Sequence, residues 1–235
     1  MRMQGMTIFA AFIALSLTGM ALPVQANMVV ISRDTTISAT SDCFDTSDPT
    51  CFVNDLGVLV GQRSDHYTDT GNYDKNVKFN AASAVETSTI SNTRILVSQA
   101  AFGGAANLFS VGEASFAMSF SLDAPEKYDL DWSLSSHYTG HDQEVKFTGP
   151  DGVIVDDTLG SNEYVSGVLN PGLYTLLVHS RAHAIGLSSS EAYSLAELTL
   201  TPVPLPDSLV LSASGLLLVG LLMRIRRPVL AAHAI

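Results

Sequence analysis

Apolar and polar positions alternate with a period of two through most of residues 27–203. In Phe116-Ala117-Met118-Ser119-Phe120-Ser121-Leu122 every second residue is large and apolar, and Tyr128-Asp129-Leu130-Asp131-Trp132-Ser133-Leu134 repeats the pattern. Successive side chains of a strand point to opposite faces, so these runs predict half-buried antiparallel strands. Asp123-Ala124-Pro125-Glu126 lies between them and predicts a turn joining the two runs as a hairpin. A second hairpin is expected across Thr148-Gly149-Pro150-Asp151-Gly152, pairing Glu144–Phe147 with Val153–Asp156. Asn170-Pro171-Gly172 turns the chain into Leu173–His179. Further strands are expected at Val29–Ser38, Val85–Gln99, Tyr164–Val168 and Glu191–Leu200. The polar, turn-rich stretch Asn54–Asn80 reads as a long surface excursion.

No segment between 27 and 203 carries a capped apolar stripe of helical period. Many short strands separated by Gly, Pro, Asp and Ser predict an all-β fold, an antiparallel β-sandwich of the jelly-roll type. Its core would draw on Phe116, Met118, Phe120, Leu130, Trp132, Leu134, Leu176 and Val178.

The two ends break this alternation. Arg2, the apolar stretch Met6–Leu22 and the small-residue site Val24-Gln25-Ala26 are the three parts of an export signal. Cleavage is expected after Ala26, leaving Asn27 as the first mature residue. Near the other end, Val203-Pro204-Leu205-Pro206 precedes sixteen uncharged residues, Ser208–Met223, and then Arg224, Arg226 and Arg227. Prolines stop a preceding strand because they lack an N–H and fix φ. Sixteen residues of helix would rise about 24 Å, a little short of a hydrocarbon core of about 30 Å. Pro206 and Leu205 can extend the span, and arginine side chains can snorkel. The arginines would hold that end on the cytoplasmic side, leaving the body outside and residues 228–235 inside.

This arrangement resembles the PEP-CTERM sorting signal of Gram-negative bacteria, in a Val-Pro-Leu-Pro variant at Val203, Pro204, Leu205 and Pro206. The resemblance covers about residues 203–227; Leu205 stands where the commonest pattern has Glu, and eight residues follow the last arginine. It implies recognition by an inner-membrane exosortase, removal of the tail, and delivery to the cell surface or an extracellular polysaccharide matrix. The expected organisation is a signal peptide at 1–26, a β-sandwich ectodomain at 27–202, a sorting signal with its transmembrane helix 208–223 at 203–227, and a cytoplasmic tail at 228–235.

Charge narrows the partners. Residues 27–206 hold 22 Asp plus Glu against 8 Lys plus Arg, a formal charge of −14. Such a surface is repelled by phosphate backbones, which argues against nucleic-acid binding. It stays soluble and attracts divalent cations. Cys43 and Cys51 both fall in the exported part, where a close pair favours a disulfide over a metal site.

Catalytic chemistry is not written in the pattern. Gly-x-Ser-x-Gly is absent, and Gly103-Gly104 lacks the Lys and helix of a phosphate-binding loop. His137 with His141, and His179 with His183, share four-residue spacing. On a strand that spacing separates the rings by about 13 Å, too far for one ion. Asp65-His66-Tyr67-Thr68-Asp69-Thr70-Gly71-Asn72-Tyr73-Asp74 is an oxygen-rich segment that could wrap calcium, although its spacing fails the EF-hand. Asp156 and Asp157 point to opposite strand faces. Tyr67 and Tyr73 are candidates for stacking on sugar rings. No catalytic residue, metal ligand or cofactor is therefore assigned. The leading expectation is a non-enzymatic surface or matrix protein with a structural or adhesive role linked to exopolysaccharide. Its alternatives are a polysaccharide-active enzyme, which needs two carboxyls about 5–10 Å apart in a cleft, and a carbohydrate-binding module, which needs an aromatic platform instead.

Overall fold

The alternation of Phe116, Met118, Phe120 and Leu122 with Ala117, Ser119 and Ser121 becomes one strand with its large side chains buried and its small ones half-exposed. The described residues form thirteen strands. They are β1 (Met28–Asp42), β2 (Cys51–Val53), β3 (Leu59–Tyr67), β4 (Tyr73–Phe79), β5 (Ala82–Ser91), β6 (Arg94–Gly103) and β7 (Phe109–Leu122). Then follow β8 (Glu126–His137), β9 (His141–Gly149), β10 (Gly152–Asp157), β11 (Asn162–Leu169), β12 (Gly172–Ile185) and β13 (Ser190–Pro202). The structure is a computed structural model and describes residues 28–43, 51–53, 59–104, 109–138, 140–158 and 161–203. Residues Ala26–Thr201 form one compact unit. Among the described residues no helix is long and apolar enough to cross a membrane.

Two antiparallel sheets form the sandwich. The first has the order β10-β9-β12-β7-β1-β3-β2 and the second β11-β8-β13-β6-β5-β4. Eight consecutive strands nest in pairs: β9 with β10, β8 with β11, β7 with β12 and β6 with β13. The pairs fall alternately in the first and second sheets, as they would if one long hairpin were wound into two layers. β1 and β3 extend the first sheet beside β7; β5 and β4 extend the second beside β6.

The core changes character along its length. At one end aromatic rings fill the space: Phe120 and Tyr174 centroids are 5.6 Å apart, Phe147 and Tyr174 5.8 Å, and Tyr128 meets Phe147 edge-on at 5.9 Å. Near the other end the facing residues are small. Ala101, Ala182 and Ala192 form one cluster; Ala39, Ala82, Ala84 and Ala114 sit with Ile37, Val77 and Phe79 in another. Gly112 on β7 faces the backbone of β5 and β6 directly, where a Cβ would overlap Ser83 O and stand 2.7 Å from both Phe102 N and Phe102 O. Side-chain size therefore sets the gap between the layers.

The eight residues expected in the core are all buried, and the hairpin β9–β10 forms with the expected pairing, Val155 opposite Phe147 and Asp156 opposite Lys146. Three expectations are corrected. Phe116–Leu122 and Tyr128–Leu134 do not pair as a hairpin: they belong to β7 and β8 in opposite sheets, so residues 123–125 cross between layers. Alternation says which face is inward, and both arrangements bury the same side chains. Val85–Gln99 is two strands, because residues 92–93 turn the chain back and pair Ile90 with Ile95. The excursion at 54–80 contains β3 and β4, whose inward face carries Val60, Tyr73, Val77 and Phe79. These flanking strands expose much of their other face, and charged residues there obscured the pattern.

Cys43 and Cys51 are bonded, with Cα atoms 6.0 Å apart, tying the end of β1 to β2. On the chain-entropy account a loop this short contributes about 2–3 kcal/mol. The expected signal peptide, with Ala26 and Asn27 at its cut, lies outside the described residues. So do Pro204, Leu205 and Pro206 of the sorting motif, the span 208–223, the stop arginines Arg224, Arg226 and Arg227, and the tail. Val203 is described, just beyond β13.

Candidate functional site

Antiparallel register lines up side chains on the outer face of the second sheet. One row runs Lys78 on β4, Ser83 on β5, Phe102 on β6 and Glu191 on β13. The next runs Asn76, Val85, Ala100 and Tyr193. Phe102 and Tyr193 are thus diagonal neighbours on adjacent strands, and both are exposed.

Where these rows meet the β4–β5 turn the face deepens into a groove of about 450 Å³, lined by Asn76, Lys78, Asn80, Ser83 and Phe102 with Ala81, Ala82 and Gly104. Its floor is tied down. Asn80 takes the left-handed backbone region (φ 46°), which Asn tolerates, and its Nδ2 donates to Asp42 O at 2.8 Å. Asp42 Oδ1 in turn accepts from Phe109 N at 2.9 Å. Gly104 N donates to Ala81 O at 2.8 Å, and Ser110 Oγ donates to Gly104 O at 2.6 Å.

The described lining of the groove carries one cation and no acid. Arg33, Lys75, Arg94, Lys146 and Arg181 each lie within 4 Å of a carboxylate. Lys78, like Arg63 and Lys127, makes no such pair among the described residues, and no Asp or Glu among them lines the groove. Glu191, beyond Phe102, accepts from the Tyr193 hydroxyl at 3.1 Å. Sequence alone did not single out Lys78 or Phe102. Phe102 fell beyond the expected strand Val85–Gln99, and Lys78 fell inside the assumed excursion.

A second polar cluster lies inside the sandwich. Arg33 of β1 and Glu86 of β5 are fully buried, with Nη2 to Oε1 at 3.4 Å. The guanidinium also donates to Thr35 Oγ1 at 3.0 Å, to Gly71 O and to Ser88 Oγ, and lies 4.9, 5.4 and 5.2 Å from the ring centroids of Tyr67, Tyr73 and Phe116. Glu86 accepts from Gln99 Nε2 at 3.2 Å and from the hydroxyls of Thr35 and Ser88. Burial pushes the Glu86 carboxyl up to about 7, against the opposing pull of Gln99 and Arg33. Burial also lowers Arg33 from its usual value. With no opening to solvent at either group, this pair clips the two sheets together.

The remaining candidates resolve into local contacts. Tyr67 and Tyr73 do not stand ready for sugars: Tyr73 is buried, and the two rings pack 4.7 Å apart over Arg33. In the oxygen-rich segment, Asp65 is held by Lys75 at 3.3 Å and by the Tyr73 hydroxyl at 3.3 Å, and the Lys75 hydrogen bond keeps its carboxyl low. Asp74 accepts from Thr87 Oγ1 at 3.2 Å. Among the described residues no group of three or more His, Cys, Asp or Glu side chains could hold a metal ion. His141 meets Ser136 Oγ at 2.9 Å; His179 meets Glu113 at 3.3 Å and holds that carboxyl below the usual range. His137 lies beside the ring of Tyr138, and His183 N donates to Gly140 O at 2.7 Å. Asp156 pairs with Lys146 at 2.6 Å, and Asp157 accepts from the Trp132 indole at 2.7 Å.

No protein-family model and no curated protein matches the chain. Among solved structures it is similar to infectious bursal disease virus Gx strain, at 9% identity and a TM-score of 0.23, with 78% of this chain and 59% of that one covered. The Gt strain gives 15% identity and a TM-score of 0.21, covering 77% and 59%. The VP2 subviral particle of the same virus gives 12% and 0.17, covering 79% and 68%. The chain therefore spans about three-fifths of the length of the first two.

Proposed function

We propose that this chain is an exported, non-enzymatic cell-surface or extracellular-matrix protein, sorted and processed through its C-terminus by an exosortase-like protease. The observation that carries the reading is the tripartite end: Val203-Pro204-Leu205-Pro206, the uncharged run Ser208–Met223, and Arg224, Arg226 and Arg227. The export signal ending at Ala26 supports it from the other terminus. The nested strand pairs support assigning the ectodomain to the jelly-roll type. Its inner-membrane anchorage is transient, and its role is structural or adhesive within exopolysaccharide.

An enzyme of the polysaccharide-cleaving kind needs two converging carboxyls. The groove offers a lysine, two amides, a hydroxyl and a phenyl ring instead, which favours binding over hydrolysis. No cofactor is assigned. Mass spectrometry of the mature protein, from cells with and without the sorting protease, tests the reading. The expected result is a polypeptide that begins at Asn27 and loses its arginine cluster only where the protease is present. The same intact C-terminus in both strains would replace processing with permanent single-span anchoring.

A further inference from the structure

We propose that the groove on the outer face of the second sheet binds a carboxylated sugar unit of an acidic polysaccharide. The proposal deepens the polysaccharide-linked role above and rests on it for where the ligand is met. Small-ligand sites combine apolar contact with a few placed polar groups that fix orientation. Phe102 supplies an exposed ring on one wall, against which the C–H face of a pyranose can lie. Asn76, Asn80 and Ser83 offer both donors and acceptors to ring hydroxyls.

Lys78 decides the charge of the ligand. It is an ammonium without a carboxylate partner among the described residues, on a body of formal charge −14, in a groove whose described lining holds no acid. A single lysine matches one monovalent group. The planar Arg fork that suits phosphate and related oxyanions is missing from the described lining. The pinned turn at residues 80–81 holds the Asn80 amide in place before any ligand arrives, which lowers the ordering cost of binding. Repeated sugar units along one polymer can engage in turn, so a modest single-site affinity is amplified.

Affinity electrophoresis of the full chain in mild detergent provides the test, with polygalacturonate, its methyl ester, dextran and dextran sulfate as probes. Salt at 0.15 M screens the body's long-range repulsion to within about 8 Å while leaving a contact ion pair in place. Polygalacturonate should retard the wild type about tenfold more strongly than its methyl ester or dextran. Lys78→Met should bring acid and ester to equal retention, and Phe102→Ala should abolish retention by both. Both side chains are exposed, so unchanged Trp132 fluorescence will report an intact body in each variant. Absence of retention, equal retention of acid and ester by the wild type, a preference for dextran sulfate, or a Lys78→Met variant that keeps the acid preference would each overturn the proposal. Retention of the full chain, with an identical intact C-terminus in cells with and without the sorting protease, upholds the groove and defeats the sorting reading; processing without retention does the reverse.

Discussion

Gly112→Val is expected to unfold the ectodomain or lower its stability by about 3 kcal/mol or more. Its Cβ would enter space already held by Ser83 O and stand 2.7 Å from the backbone of Phe102. Overpacking a rigid core costs about 1–3 kcal/mol when side chains can yield. Here the obstacles are main-chain atoms of β5 and β6, which can move only with the sheet. Gly103, paired to Ala82 and Ser190, sits close by, with Ala184 N and Ser110 O 3.0 Å from its would-be Cβ. Denaturant unfolding followed by Trp132 fluorescence measures the effect. A midpoint within error of wild type would mean that the layers are not held at this separation by small residues. A surviving variant should also lose the groove, since Ser83 and Phe102 lie directly above the strained contact.

Arg33→Met should cost about 3–5 kcal/mol near pH 8, the range for leaving one charge of a buried pair uncompensated. Glu86 would remain enclosed with Gln99, Thr35 and Ser88 and no cation. Near pH 5 the loss should be smaller, because Glu86 then takes a proton and no buried charge remains. The same group gives the wild type a pH dependence of definite sign. Its folded value, raised to about 7 by burial, lies above its ordinary 4.5, so its contribution is fully present below about 4.5 and is lost as pH rises through about 7. Glu86→Gln should therefore flatten the decline between these limits, by roughly 3 kcal/mol relative to wild type. Asp65 and Glu113 act in the opposite direction, since their lowered values stabilise above the ordinary carboxylate range and that contribution is lost on acidification. Stability measured against pH for wild type, Glu86→Gln and the double variant Arg33→Met/Glu86→Gln separates these contributions. A loss in Arg33→Met equal at pH 5 and pH 8, unrelieved in the double variant, would contradict the account of the clip.

Sequence made legible what period two can encode. Phe116, Met118 and Phe120 announced β7, and Thr148–Gly152 announced the β9–β10 hairpin, because alternation and turn chemistry are both local. Which sheet a strand joins is a long-range property, and β7 and β8 bury the same residues whether paired or stacked. A phase change was there to be read at residues 92–93: the inward positions are even-numbered in β5 and odd-numbered in β6. The buried Arg33 was invisible because its partner lies 53 residues away and polar residues are ordinarily assigned to solvent. The groove was hidden for a related reason. Lys78, Ser83 and Phe102 become neighbours only through strand register, and no spacing along the chain brings them together.

The partition of the chain is tested most directly by labelling intact cells with a membrane-impermeant amine reagent and mapping the modified peptides. Lys127, exposed on β8 and without a carboxylate partner among the described residues, should be modified on unbroken cells. Modification of Lys127 only after the inner membrane is broken would place the β-sandwich in the cytoplasm and contradict export.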